Sequence, residues 1–335
     1  MTNKLLWSPK NTNINLTKFK KKYFKKSEDC TYEHLHKWSV EKKEIFWDNV
    51  WDFTKIIGQK KGKVFQDSKR FIDSKFFDQS YLNYAENCLQ RNDKNSAIIF
   101  YNEQKKRRKV SWKELKNNVF KISSFFKNKN IKENDRIAAI LPNIPEAIEA
   151  FLACAQLGAI WSSCSSDFGP KAIIDRFKQI EPKILIISNH YYYNNKKINT
   201  LNNINLILKE VPSIKDVILI SYDKVEVEKI EFNYTNWQTI LKNEEKFEIF
   251  EKFKFNHPLY ILFSSGTTGY PKCIVHGAGG SLIQHKKEHQ LHSNINEKDK
   301  VFYFTTCGWM MWNWLISSLA SKASIVLYDG SPFFP

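Results

Sequence analysis

The stretch Leu262-Phe-Ser-Ser-Gly-Thr-Thr-Gly-Tyr-Pro-Lys-Cys-Ile-Val-His276 decides how the rest of the chain is read. It follows a short apolar and aromatic run, Pro258 to Phe263, of the kind that forms a buried strand. Four hydroxyl residues and two glycines then occupy six consecutive positions. Gly266 and Gly269 have access to backbone angles closed to other residues, so the chain can curl with its N–H groups facing an anion. Ser264, Ser265, Thr267 and Thr268 add hydroxyl donors, and Lys272 brings a mobile positive charge to the far end. The pattern predicts a polyphosphate-binding loop with strands on either side. It is not the P-loop of kinases and ATPases, because that spacing requires a glycine where Pro271 stands. A plain flexible surface loop accounts for the small residues but not for the Pro-Lys end or the flanking strands.

From Asn134 onward, strand and helix signals alternate. Arg136 to Leu141 is predicted as a strand, Pro145 to Leu157 as a helix opened by proline and closed by Gly158, and Ala159 to Ser163 as another strand. A helix over Pro170 to Ile180, stopped by Pro182, precedes a strand over Lys183 to Ser188. Asp216 to Ser221, Val301 to Thr306 and Ser324 to Tyr328 are further strand candidates. Such alternation implies an α/β fold with a largely parallel sheet and helical crossovers. Ligands of such sheets bind at the carboxyl ends of the strands, where Ser264 falls after Phe263. Ahead of this region, residues 1–95 are polar and aromatic-rich. Trp38, Phe46, Trp47, Trp51 and Phe53 are spaced to place several rings on one helical face, docked against a core.

A chain of 335 residues with 42% hydrophobic content can bury a substantial core. Six scattered cysteines show no Cys-x-x-Cys spacing, so neither a zinc ribbon nor a disulfide framework is signalled, and free thiols in a reducing cytoplasm are expected. The first ten residues lack a signal-peptide core, and the apolar stretch from Trp314 to Leu327 is broken by Lys322 and four serines, so no membrane span is expected. The net charge of +17 raises a nucleic-acid reading, with Lys105-Lys106-Arg107-Arg108-Lys109 as the densest basic run. That run sits between strand-like pieces at Ala97 to Tyr101 and Val110 to Trp112, so it reads as the turn of a hairpin. No nucleic-acid partner is expected; the charge suits long-range steering of anionic small molecules.

Two other segments carry possible chemistry. Gly308-Trp309-Met310-Met311-Trp312-Asn313 follows a strand and opens a helix, which places it near the site edge. Trp309 and Trp312, three apart, are spaced to share a face, and the flexible methionines suit the wall of a small pocket. Ordinary core packing is the competing account. His285-Lys-Lys-Glu288-His289 matches His-x-x-Glu-His, the inverted zincin pattern, which raises zinc hydrolysis as a remote alternative. A helix directly after the phosphate loop has a scaffolding role, no third ligand is identifiable, and no metal site is expected.

The loop resembles the signature of the acyl-adenylate-forming enzymes, the superfamily of acyl-CoA synthetases, peptide-synthetase adenylation domains and luciferases. Within it, residues 305–313 (Thr-Thr-Cys-Gly-Trp-Met-Met-Trp-Asn), 328–332 (Tyr-Asp-Gly-Ser-Pro) and 162–169 (Ser-Ser-Cys-Ser-Ser-Asp-Phe-Gly) look like the acetoacetyl-CoA synthetases. The resemblance runs from about residue 38 to residue 335. It implies the layered parallel-sheet N-terminal domain of that superfamily, with residues 1–95 as an N-terminal cap and residues 96–335 as a partial AMP-binding domain. It also implies an ATP-dependent ligase that joins acetoacetate to CoA through an acyl-adenylate, with Mg²⁺ assisting pyrophosphate departure. Ser264, Ser265, Gly266, Thr267, Thr268, Gly269 and Lys272 would hold the phosphates, Lys272 and Thr267 acting in catalysis, and residues 309–313 would line the acyl pocket. Another short-chain acid is the near alternative.

The family's later motifs are a Tyr-Gly-x-Thr-Glu segment, ribose-binding and neighbouring Asp and Arg residues, and a lysine on a mobile C-terminal lid domain. None is found in these 335 residues: no glycine among the eleven follows a tyrosine or precedes an aspartate or arginine. The expectation is therefore a fold incomplete at its C-terminus. The chain by itself would be an inactive or nearly inactive nucleotide-binding fragment, with a separate polypeptide carrying the remaining half as a partner.

Overall fold

The computed structural model describes residues 13–24, 31–223, 230–264 and 269–334. The first regular hairpin is β1 (Ser96–Asn102) with β2 (Arg107–Ser111), paired antiparallel. Here the basic run divides: the turn is confined to residues 103–106, while Arg107, Arg108 and Lys109 lie within β2 opposite Tyr101, Phe100 and Ile99. Arg108 is drawn into a 2.7 Å ion pair with Glu146, and Lys106 into one with Asp223. Those two cations are thereby engaged within the chain. Ser111 and Glu114 close a capping box at the start of α1 (Trp112–Asn128), satisfying amides that a helix start leaves open.

The alternation beyond residue 134 yields a seven-stranded sheet. Its strands are β3 (Arg136–Ile140), β4 (Ile160–Cys164), β5 (Ile184–Ser188), β6 (Asp216–Ile220), β7 (Thr235–Asn236), β8 (Pro258–Ser264) and β9 (Lys272–Gly277). They lie in the order β7-β6-β5-β3-β4-β8-β9, parallel throughout except for the antiparallel pair β8/β9. A four-stranded sheet follows the order β10-β11-β1-β2, where β10 is Lys300–Phe302 and β11 is Ser324–Asp329. β10 is shorter than the predicted strand over Val301 to Thr306. It pairs only with β11, and the chain leaves the sheet after Phe302 with Tyr303 and Phe304 partly exposed.

The helices cover the larger sheet on both faces. α3 (Pro170–Ile180) and α4 (Ile204–Glu210) pack on the face bearing Ala138, Ile140, Leu185, Ile187 and Leu219. α2 (Pro145–Gln156) lies on the other face, with α5 (Ala278–Lys287) and α6 (Met310–Ser317) in the same core. Every residue of α2 is buried, including Glu146 and Glu149. Its two carboxylates therefore need internal partners. Arg108 serves Glu146, and the Asn118 side-chain amide donates to Glu149 at 2.9 Å; burial and the neighbouring Glu146 hold the Glu149 carboxyl well above its ordinary range. α2 opens with Pro145 at its first turn and is followed by Gly158 at φ +66°, where a Cβ would meet the Phe253 ring at 2.5 Å.

Phe151 of α2 has no exposed surface and meets the rings of Tyr84, Trp161, Tyr260 and Trp312 at centroid distances of 5.6, 6.1, 6.3 and 5.8 Å. The lead segment joins this core as its aromatic spacing predicts. Trp51, on the helix Lys43–Phe53, packs on Phe77 and Phe255 at 5.0 and 6.0 Å, and Phe19 sets its ring edge against Phe46 and Phe53. The two sheets are further linked at their ends. The Tyr222 hydroxyl, just beyond β6, donates to Asp329 at the end of β11 (2.6 Å) and accepts from the Asn102 amide (3.1 Å). The hairpin His190–Tyr193/Lys196–Asn199 turns through Asn194 and Asn195, whose backbone amides donate to the Glu103 carboxylate. At the opposite margin, β9 is an edge strand among the described residues, with Ile274 44% and Val275 56% exposed.

Two outcomes follow from this core. Replacing Phe151 with alanine is expected to lower unfolding stability by about 3–5 kcal/mol in urea denaturation, because four surrounding aromatic rings cannot collapse into the space. Burial raises the Asp329 carboxyl from 3.8 to about 7, so the folded chain holds a proton there that the unfolded chain has released. That contribution is full at low pH and is lost as pH rises through the folded value. Scanning calorimetry at about pH 5 and about pH 8 should therefore show wild type losing several degrees relative to Asp329→Asn at the higher pH.

Candidate functional site

β8 ends at Ser264 and β9 begins at Lys272, and these two residues are register partners. The phosphate-loop segment is thus the connection of a β-hairpin, its two ends held side by side. Ser265, Gly266, Thr267 and Thr268 lie outside the described residues. β8 runs parallel to β4, so Ser264 emerges at the carboxyl ends of the parallel strands, as the sequence predicts. Gly269 takes φ +152°, a conformation that favours glycine, and has open space on its Cβ side. The return limb is moored to α3: the Gln179 amide donates to the Pro271 carbonyl at 3.0 Å, and Cys273 Sγ contacts Gln179 Oε1 at 3.5 Å. Ser264 is half-buried and Lys272 exposed, which leaves the lysine free to move toward an anion.

The segment from Trp309 to Asn313 is divided by the fold. Trp309 is the N-cap of α6 with extended backbone angles (φ −111°, ψ 149°), so it stands outside the helical repeat and is 64% exposed. Trp312 is fully buried, stacked on Trp161 at 6.4 Å, with its indole N–H donating to Asn143 Oδ1 at 3.1 Å. The two indoles therefore do not share a face. Asn313 is buried too; its side-chain oxygen has no hydrogen-bond partner among the described residues. Met310 and Met311 instead line a cavity of about 570 Å³, with Tyr260 and His276 from the facing β8/β9 pair and Ser281 and Gln284 from α5. His276 stacks on Tyr260 at 4.8 Å, and burial lowers its pKa. The cavity and the loop ends thus share the same two strands, four residues apart along each, or about 13 Å at the usual rise.

His285 and Glu288 border the same cavity, and with His289 they are engaged by neighbouring side chains. His285 Nδ1 lies 2.7 Å from the Ser317 hydroxyl, His289 Nε2 lies 3.3 Å from that of Ser318, and Glu288 accepts from Trp314 and Gln284. Burial pushes the imidazoles down to about 4 and about 3, so both are neutral at physiological pH. The helix widens into a π-turn over Glu288–His292, and among the described residues no group of three His, Cys, Asp or Glu side chains converges as a metal site. A third constellation has no single motif in the sequence. A cavity of about 510 Å³ lies where the carboxyl ends of both sheets meet, lined by Ser165, Ser166, Asp167, Tyr191, Thr306 and Asp329 among others. The Ser166 and Thr306 hydroxyls are buried without hydrogen-bond partners among the described residues. Its walls come from five separate segments, which only the fold assembles.

The description of the AMP-binding enzyme family matches residues 85–335. An acetoacetyl-coenzyme A synthetase of Rhizobium meliloti (strain 1021) is 43% identical over 305 residues, covering 91% of this chain and 47% of the relative. An acetoacetyl-CoA synthetase of Rattus norvegicus is 42% identical over 317 residues, with 91% and 47% covered. The solved structure of acetoacetyl-CoA synthetase from Streptomyces lividans superposes with a TM-score of 0.89 at 33% identity, covering 96% of this chain and 50% of that one. The chain thus spans about half the length of the curated relatives it matches. No helix among the described residues is long and apolar enough to cross a membrane. Its layered sheets and matched sequence place this chain in the AMP-binding enzyme family, a family of ligases, with the acetoacetyl-CoA synthetases as its relatives.

Proposed function

We propose that the chain provides the nucleotide- and acid-binding part of an AMP-forming acid–thiol ligase acting on acetoacetate, ATP and CoA. One observation carries this reading: the hairpin from Ser264 to Lys272 and the cavity bearing Met310 and Met311 are built on the same strand pair. The acid's carboxylate attacks the α-phosphorus of ATP and displaces pyrophosphate. The thiol of CoA then attacks the acyl carbon of the adenylate, releasing AMP and leaving the thioester. Such a reaction asks the protein mainly to align reactants and neutralise charge. In this reading Ser264, Ser265, Gly266, Thr267, Thr268 and Gly269 grip the β- and γ-phosphates. Lys272 approaches from its exposed strand end, and it and Thr267 contact the charge that develops. Met310 and Met311 form the acyl wall, Trp312 and Asn313 brace it from the core, and the exposed Trp309 directly precedes it in the chain. Mg²⁺ would arrive with the triphosphate. The described residues offer no donor set of their own for it, so no step is assigned to the ion.

The cap over residues 1–95 and the partial AMP-binding domain over residues 96–335 belong to the same proposal. The length of the relatives favours a second reading, in which the 335 residues bind nucleotide and need further chain, covalent or separate, to complete the reaction.

Calorimetric titration with ATP tests the loop. Wild type should bind, and Lys272→Ala should bind about tenfold to a hundredfold more weakly, the worth of one charge-assisted hydrogen bond; equal affinity in the variant would remove Lys272 from the site. Pyrophosphate exchange into ATP tests the acid: acetoacetate should drive it faster than butyrate or acetate in a full-length form. Faster exchange with butyrate would reject the oxo-acid, and robust exchange by the 335 residues alone would reject the need for further chain.

A further inference from the structure

α5 carries a second cation with a different environment. Lys286 is 1% exposed, and burial lowers its pKa to about 8, with the neighbouring Cys88 opposing the drop and the Lys322 ammonium adding to it. Among the described residues it has no hydrogen-bond or ion-pair partner. A buried ammonium without a counter-charge is strongly unfavourable, which is why buried charges are paired or hold ligands.

Lys286 lines a cavity of about 440 Å³ between the lead segment, α5 and the turn before β11. Lys55, Lys298 and Lys322 line it as well, against a single carboxylate, Glu297. Lys55 and Lys322 hold left-handed backbone angles, φ +55° and +63°, uncommon for residues with long side chains. The neutral donors are mostly spent. The Gln90 amide serves the Asn87 carbonyl at 2.8 Å, and the Gln290 amide serves Ser321 Oγ at 3.2 Å, leaving the Ser321 proton to point elsewhere. Four lysines thus line the cavity against one carboxylate, and the Ser321 hydroxyl adds a donor.

We propose that this cavity is a binding site for a phosphate-class oxyanion, anchored on Lys286 and separate from the phosphate-loop hairpin. A tetrahedral, multiply charged oxyanion satisfies several ammonium groups at once, which a monocarboxylate cannot do. The anion is either free phosphate or the phosphate end of a small metabolite, and both share this chemistry.

The test is calorimetric titration of the 335-residue chain with inorganic phosphate, and in parallel with glycerol 3-phosphate. Wild type and Lys272→Ala should each show one saturable site for at least one of the two anions, the tighter identifying the source. Lys286→Met should bind that anion at least roughly tenfold more weakly. The methionine keeps most of the side-chain volume and removes the buried charge, so the melting temperature of this variant in phosphate-free buffer should equal or exceed that of wild type. If it fails to fold, Lys322→Gln serves instead, with several-fold weaker binding expected. Unchanged affinity in these variants, no saturable heat in wild type, or loss of binding only in Lys272→Ala would overturn the proposal. Failure of ATP binding at the hairpin would leave this result intact, because the two sites have different lysines.

Discussion

The arrangement depends on α2, a helix with no face for water. Lodged between two sheets, it must offer apolar contact on every side and find internal partners for the carboxylates it carries. Ala147, Ala150 and Ala153 let neighbouring backbones approach, while Phe151 fills the space among Tyr84, Trp161, Tyr260 and Trp312. Glu146 and Glu149 are tolerable there only because β2 supplies Arg108 and α1 supplies Asn118. A helix held this way ties the position of one sheet to that of the other. The strand ends that carry the hairpin and both site cavities are thereby fixed relative to each other.

The candidate site inherits its character from that rigidity. Ser264 and Lys272 are held in register at the mouth of the hairpin, whereas Gly269 has open space beside it. The cavity on the same strand pair is made differently: methionines from α6 face a Tyr260–His276 stack, a soft wall opposite a stiff one.

Much of the fold is legible in the sequence because strands buried on both faces leave near-continuous apolar runs, and because Pro145, Gly158, Pro170 and Pro182 mark element ends. The helix over Pro170–Ile180 coincides with its predicted bounds. The overshoot at Val301 to Thr306 has a simple origin: the chain turns away after Phe302 although β11 runs on to Asp329, and propensity does not register where the backbone leaves a sheet. The hairpin through Asn194 and Asn195 is obscured by the general abundance of asparagine and lysine, although two asparagines between a run of three tyrosines and a pair of lysines are a turn signal of their own. In the site, the hairpin loop is visible from spacing alone, whereas the division of residues 309–313 into exposed cap, wall and core is not. That division depends on Trp309 being a cap residue, a backbone fact that no side-chain pattern records. The inverted zincin pattern illustrates the converse: its three side chains have the right spacing, yet the fold engages each with a hydroxyl, indole or amide partner.

The open margin at β9 bears on how the molecule behaves in a tube. A six-residue strand that is paired on one side only among the described residues, and with Ile274 and Val275 exposed, is a template for another extended chain. Lys272 blunts one end of it, but the middle carries no charge. Concentration therefore becomes a structural variable: at high concentration the same edge of a neighbour can cover that edge, and salt works in the same direction, because it screens the net charge of +17 that keeps copies apart.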